Sequence, residues 1–204
     1  MYRHIVWDFD GTLFNTYPAM ASAFQSLLKE NGIEEDLEDI LRHMKISMGH
    51  ALNHYETRYQ LDAHFMDHYR EKRIEAEIKL NQPYPGIIAI CQYIAHSGRY
   101  NYLFTHRGSS SFIYLKQFDL LSSFQDFITE DSGFPRKPAP EGLLYLMDKY
   151  DMHPDETLMI GDRELDILAA KNAGAHACFF SEDDATSQYA DFTIKDFKEL
   201  YDIL

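Results

Sequence analysis

The stretch Asp8-Phe9-Asp10-Gly11-Thr12-Leu13-Phe14-Asn15-Thr16 follows directly on the apolar run Ile5-Val6-Trp7. A β-branched and aromatic segment that breaks into glycine reads as a strand ending in a turn. Asp8 and Asp10 lie two positions apart, and in an extended chain that spacing points both carboxylates the same way. Two like charges held together at a strand end cost energy unless a cation offsets them or a proton is shared. The pair therefore reads as a functional site, against the alternative of two turn-forming aspartates closing an ordinary strand.

Short runs rich in β-formers recur further along, at 100–105, 127–129, 157–160 and 177–180. Helical patterns separate them. Ile87, Ile90, Cys91 and Ile94 follow the spacing of one helix face, and His96-Ser97-Gly98 supplies a stop. Ser109-Ser110-Ser111 can cap a helix through Phe118. Pro138 and Pro140 open another that turns Leu143, Leu144 and Met147 inward, and 163–173 forms one closed by Gly174. The last ten residues read as a closing helix. Strands alternating with helices predict an α/β fold, a doubly wound parallel sheet with right-handed crossovers.

Residues 16–82 break this alternation with helix-like blocks at 19–30, 37–44, 50–59 and 64–80. Gly32 and Gly49 punctuate the segment, and Pro83-Tyr84-Pro85-Gly86 ends it. Roughly 65 residues are too many for a connection and enough for a small helical subdomain. The expected division is an α/β core from 1–15 and 83–204, with 16–82 as an inserted helical cap.

The 204 residues are 45% hydrophobic and 14% aromatic, enough for a real core. A formal charge of −14 argues against nucleic acid or an anionic membrane as partner, since phosphate backbones would be repelled. A small phosphorylated metabolite stays compatible, because the local field of a site can oppose the net charge. Cys91 and Cys178 stand far apart without partner spacing, so neither a disulfide framework nor a zinc motif follows. No apolar run approaches the roughly 18 residues that span a bilayer. Met1 leads straight into Tyr2-Arg3-His4 with no secretory pattern. A cytoplasmic protein, monomer or homodimer, is expected.

Each later strand end offers a reactive residue type. Leu103-Phe104-Thr105 ends in a hydroxyl, Lys137 sits in Arg136-Lys137-Pro138-Ala139-Pro140, and Gly161-Asp162 leads to Asp166 four positions on. In a doubly wound sheet, ligands bind beyond the carboxyl ends of the strands, so these residues and the Asp8 pair would face one crevice. Carboxylates, a hydroxyl and a lysine are what phosphoryl transfer through a covalent intermediate requires. A hard divalent cation, Mg²⁺, would take oxygen ligands from Asp8 and Asp162. Lys137 and Thr105 would hold the other phosphoryl oxygens, where charge concentrates in the transition state.

These segments, in this order, resemble the haloacid dehalogenase superfamily, in the branch with a helical cap after the first strand. That branch includes phosphoglycolate phosphatases and β-phosphoglucomutases. The family's Asp-x-Asp-Gly-Thr is matched by Asp8 to Thr12, its strand-end Ser or Thr by Thr105, and its lysine by Lys137. Its Gly-Asp-x-x-x-Asp falls on Gly161, Asp162 and Asp166, and Ala170-Lys171-Asn172-Ala173-Gly174-Ala175 continues the usual sequence.

The resemblance implies a Rossmann-like core and a Mg²⁺-dependent phosphatase that hydrolyses a small phosphorylated metabolite through an aspartyl-phosphate. Asp8 is then the nucleophile, and Asp10 the general acid/base, protonated at the start. Gly11, Thr12, His106 and Arg107 would bind substrate, and Asp8, Asp10, Asp162 and Asp166 the metal. A sugar-phosphate mutase would use the same aspartates while keeping water off the acyl phosphate; Thr12 favours hydrolysis. A phosphoacceptor protein without turnover also combines acidic residues, Thr and Lys on a parallel sheet, but neither the inserted segment nor Asp-Gly-Thr is expected there.

The chain departs from the family's pattern at Asn15, at His106-Arg107 after the motif threonine, and at Arg136 before Lys137. Arg107 and Arg136 read in two ways: as positive potential for a second anionic group on the substrate, or as surface residues pairing with the many acids. His4, His43, His54, His64 and His68 show no ligand spacing, which predicts surface or partly buried histidines. Lys45, Ser47 and His50 flank Gly49 in a loop that either reaches the substrate or merely joins two helices.

Overall fold

A computed structural model describes residues 1–183 and 185–204. Strand β1 (His4–Trp7) is followed by four helices: α1 (Tyr17–Glu30), α2 (Leu37–Ile46), α3 (Met48–Tyr59) and α4 (Phe65–Leu80). Alternation then sets in, with α5 (Ile87–His96), β2 (Tyr100–Phe104), α6 (Ser110–Gln117), β3 (Phe124–Ile128) and α7 (Glu141–Lys149). It continues through β4 (Thr157–Gly161), α8 (Glu164–Asn172), β5 (His176–Phe180), β6 (Phe192–Ile194) and α9 (Leu200–Ile203). The chain divides into two compact units, Met1–Phe14 with Pro83–Leu204 and Asn15–Gln82.

The first unit is built on a six-stranded sheet, ordered β3-β2-β1-β4-β5-β6 and parallel throughout. All four β1 residues are buried, as a central parallel strand covered on both faces requires. Period-two alternation sorts them. Ile5 and Trp7 join a layer with Ile87, Ile90 and Ile94 of α5, and Val6 joins the opposite layer with Leu143 and Leu146 of α7 and Ile167 of α8. The buried Trp7 indole donates to Asn101 Oδ1 at 2.9 Å, and the Asn101 amide donates to the carbonyls of Cys91 and Ser123. Each Val, Leu, Ile, Phe or Met side chain buried in these layers contributes about 1.5–3 kcal/mol.

The second unit is helical. Asp36 caps α2 by accepting the Glu38 N–H at 2.7 Å, and Ser47 ends α2 and caps α3 by accepting the His50 N–H at 2.9 Å. Its core forms around Phe24 of α1, whose ring meets those of Tyr55, Phe65 and Tyr69 at 5.1–5.4 Å.

Strand β3 begins three residues before the run expected at 127–129, because Phe124 pairs with Asn101. Strand β6 is not foreshadowed: it has only three residues, of which Thr193 is exposed, so no apolar run marks it. The expected closing helix is a 3₁₀ turn at Phe197–Glu199 followed by the single turn of α9. No helix among the described residues is long and apolar enough to cross a membrane.

The strand order places the topological switch beside β1. From β1 the chain builds β2 and β3 on one side, then returns to lay down β4, β5 and β6 on the other. The crevice beyond the carboxyl ends of β1 and β4 is therefore where this architecture binds ligands.

Candidate active site

Asp8 follows β1 directly, and its N–H donates to the Ile160 carbonyl of β4 at 2.9 Å, so the ladder places its carboxylate at the switch point. The chain then turns sharply. Gly11 has φ +81°, the left-handed region that costs glycine nothing, and its N–H donates to the Phe14 carbonyl. Phe9 stacks on Phe14 with centroids 4.7 Å apart, fixing the turn from beneath.

Lys137 is the hub. Its ammonium is fully buried, 2.5 Å from Asp8 Oδ1 and 2.6 Å from Asp166 Oδ1, and donates to the Phe104 carbonyl at 2.9 Å. Asp8 Oδ1 and the Phe104 carbonyl accept hydrogen bonds from it, whereas Asp166 Oδ1 meets it as an ion pair without a hydrogen bond. The Lys137 N–H in turn donates to His106 Nε2 at 2.6 Å. That bond assigns the ring proton to Nδ1. His106 is neutral: burial, with Lys137, Arg136 and Arg163 nearby, pulls its pKa down to about 2.

Asp166 enters from the first turn of α8, where its Oδ2 accepts the Arg163 N–H at 3.1 Å. Gly161 makes room for it, since a Cβ there would lie 2.3 Å from Asp166 Cβ. Asp162 accepts the Thr12 hydroxyl at 3.3 Å. The Arg163 guanidinium reaches back over the carboxylates, 3.6 Å from Asp8 Oδ2, 3.7 Å from Asp166 Oδ2 and 4.0 Å from Asp162 Oδ1.

Three carboxylates thus share two cations. Burial, then the charge of Asp166, raises the Asp8 pKa against the pull of Lys137 and Arg163. Asp8, Asp162 and Asp166 present oxygens within 4.8 Å of one another, and Asp8 Oδ2 is buried without a hydrogen-bond partner. An all-oxygen, net-anionic set with an orphaned carboxylate oxygen fits a hard divalent cation such as Mg²⁺.

The other residues singled out from the sequence fall into place around this centre. Thr105 is buried, and its hydroxyl accepts the Arg107 N–H at 3.1 Å. Thr12 is fully buried, with its hydroxyl turned to Asp162. Arg136 is exposed and pairs with Glu130 at 3.2 Å.

Arg107 is not a surface residue, and the acid it meets belongs to the chain itself. Its buried guanidinium clasps Asp10, with Nη2 at 2.5 Å from Oδ1 and Nε at 3.1 and 3.3 Å from the two oxygens. This bears on two expectations. Asp10, expected among the metal ligands, is held by Arg107, whereas the carboxylates that gather as one ligand set are Asp8, Asp162 and Asp166. A guanidinium in that position also stabilises an ionised Asp10, not one protonated at the start. Arg163 is the residue that the motif reading passes over. Its place directly after Asp162, at the end of β4, is the signal that could have marked it.

The profile of haloacid dehalogenase-like hydrolases matches residues 5–180. A phosphoglycolate phosphatase of Vibrio vulnificus is 32% identical over 186 residues, covering 83% of this chain and 79% of that protein. The crystal structure of a hydrolase from Streptococcus pneumoniae superposes with a TM-score of 0.70 at 28% identity, covering 98% of each chain. A predicted phosphoglycolate phosphatase from Haemophilus somnus shares the fold, with a TM-score of 0.85 at 20% identity over 99% of this chain and 97% of that one.

Proposed function

The chain belongs to the haloacid dehalogenase-like hydrolases, and within that family we propose that it is a Mg²⁺-dependent phosphatase. It hydrolyses a small phosphorylated metabolite through an aspartyl-phosphate on Asp8. The observation that carries this reading is Asp8 itself: a fully buried carboxylate at the switch point, braced on one oxygen by Lys137 and unbonded on the other. The similarity to phosphoglycolate phosphatases makes phosphoglycolate the first substrate to try.

Mg²⁺ would be held by Asp8, Asp162 and Asp166, and when bound it supplies positive charge that screens an anionic nucleophile from an anionic substrate. Asp8 attacks phosphorus, forming an acyl-phosphate bond as the ester P–O bond breaks. The departing alkoxide takes a proton from Asp10, which first leaves its ion pair with Arg107 and gains that proton from solvent, and which gives one back to solvent when the cycle closes. Water then attacks the acyl phosphate, Asp10 accepts its proton, and inorganic phosphate departs with Asp8 restored. The paired, ionised Asp10 is the form that suits this second half. Lys137 keeps Asp8 aimed and, with Thr105, offsets charge on the phosphoryl oxygens. The two cysteines, free and buried, agree with a reducing cytoplasm.

The test is phosphate release from a panel of phosphorylated metabolites including phosphoglycolate, with and without Mg²⁺, beside Asp8→Asn. Mg²⁺-dependent release that vanishes in Asp8→Asn supports the reading. Wild-type release no greater than that of Asp8→Asn on every ester would overturn it.

A further inference from the structure

Four metal-ligating side chains meet in the helical unit. Asp39 and His43 lie four apart on α2, and His50 and His54 lie four apart on α3. Side chains at that spacing share a helix face. Ser47, which ends one helix and caps the next, folds the two pairs together. The His43 ring is stacked between the others, with centroids 3.9 Å from His54 and 5.2 Å from His50.

The nitrogens are arranged as a ligand set. His43 Nε2 faces Asp39 Oδ2 at 3.9 Å, and one ligand atom each from Asp39, His43 and His54 lies within 4.8 Å of the others. Zinc-type bond lengths of about 2.0–2.2 Å put neighbouring ligand atoms about 3–3.5 Å apart, within reach of small side-chain rotations. His54 Nε2 is buried and has no hydrogen-bond partner. On its far side, His43 Nδ1 is 3.1 Å from His50 Nε2, the outer contact that fixes the tautomer of a metal-bound imidazole. Asp39 Oδ1 is taken by Arg42, which leaves Oδ2 toward the histidines.

We propose that the α2–α3 hairpin binds a borderline divalent transition ion of the zinc class through Asp39, His43 and His54, with His50 orienting His43. Imidazole selects such ions, whereas the all-oxygen set at Asp8, Asp162 and Asp166 selects hard ones, so the two sites sort different metals. A bound ion ties α2 to α3.

The test is calorimetric titration of the full-length protein with Zn²⁺ in excess Mg²⁺, repeated with Co²⁺ and read by its visible absorption. One Zn²⁺ equivalent is expected in the wild type and in Asp162→Asn, with a Co²⁺ spectrum showing nitrogen ligation. His43→Gln and His54→Gln should each weaken binding more than tenfold, and His50→Gln by about tenfold, as loss of an outer contact does. Far-UV circular dichroism confirms that each variant is folded. Absence of Zn²⁺ binding to the wild type in Mg²⁺ overturns the proposal. So does Zn²⁺ binding of wild-type strength in folded His43→Gln and His54→Gln, or its loss in Asp162→Asn.

Discussion

Arg107 holds Asp10 in a buried, forked ion pair, 2.5 Å from Nη2 to Oδ1, across 97 positions of sequence. The guanidinium is fixed from behind as well, lying 5.0 Å from the Phe9 ring centroid and 5.7 Å from that of Tyr114. Such a clamp sets where the proposed proton carrier rests between turnovers. Arg107→Gln is therefore expected to slow the hydrolysis of alkyl phosphates far more than that of p-nitrophenyl phosphate, whose leaving group needs no proton. Asp10→Asn should show the same selectivity, with a loss of about 10²–10⁴-fold on alkyl esters. The kcat/KM values on the two ester classes check this, because they report only the steps up to release of the alcohol; equal losses of kcat/KM on both would remove Asp10 and Arg107 from protonation of the leaving group.

Asp8→Asn should abolish turnover yet leave the metal-free protein at least as thermostable as the wild type near neutral pH. The Asp8 pKa is pushed up to about 6, so the fold disfavours its ionised form, and stability falls as pH rises from the ordinary aspartate range through that value. The amide removes the cost, while Lys137 keeps Asp166 as a partner. Thermal denaturation in a chelating buffer is the measurement; a markedly lower Tm would show that the Asp8–Lys137 pair is net stabilising.

His106→Asn should flatten the acid limb of the stability profile. With its pKa lowered to about 2, His106 stays neutral in the fold but gains a proton on unfolding once the pH drops below its ordinary value near 6.5. Its share of stability is therefore complete above that value and is lost as pH falls, with a slope of up to about 1.4 kcal/mol per pH unit. Asparagine can still accept a hydrogen bond but does not titrate. Urea unfolding at a series of pH values between 7 and 5 reads the difference, and parallel profiles for the two proteins would contradict it.

Gly161→Ala should displace Asp166, because the new methyl group would sit 2.3 Å from Asp166 Cβ. Overpacking of this kind costs about 1–3 kcal/mol. Weaker Mg²⁺ dependence of activity should accompany the drop in Tm, whereas a change in Tm alone would mean that Asp166 does not help to hold the cation.

The sheet and much of its reactive edge are legible because turns are marked locally: Gly11 after Asp10, Gly161 before Asp162, the prolines around Lys137. Such local signals report where the backbone bends. They do not report what a side chain meets across the fold. Arg107 offered two readings because its partner is 97 positions away, and Arg163 drew no notice because its targets gather only when β1 and β4 lie side by side. Strand β6 went unseen since three residues carry no periodicity. His43 and His54 carry no joint signal in the sequence, since only the turn at Ser47 brings their helices together.

The strand order also governs when the chain can become reactive. Lys137 stands 129 positions from Asp8, and Asp162 stands 150 from Thr12. A nascent chain that has emerged only as far as β3 carries the proposed nucleophile without the lysine that braces it or the carboxylates that gather beside it. Contacts so distant in sequence form late and slowly. Reactivity thus arrives with the fourth strand, so a ribosome-bound or truncated fragment should be chemically silent toward phosphate esters.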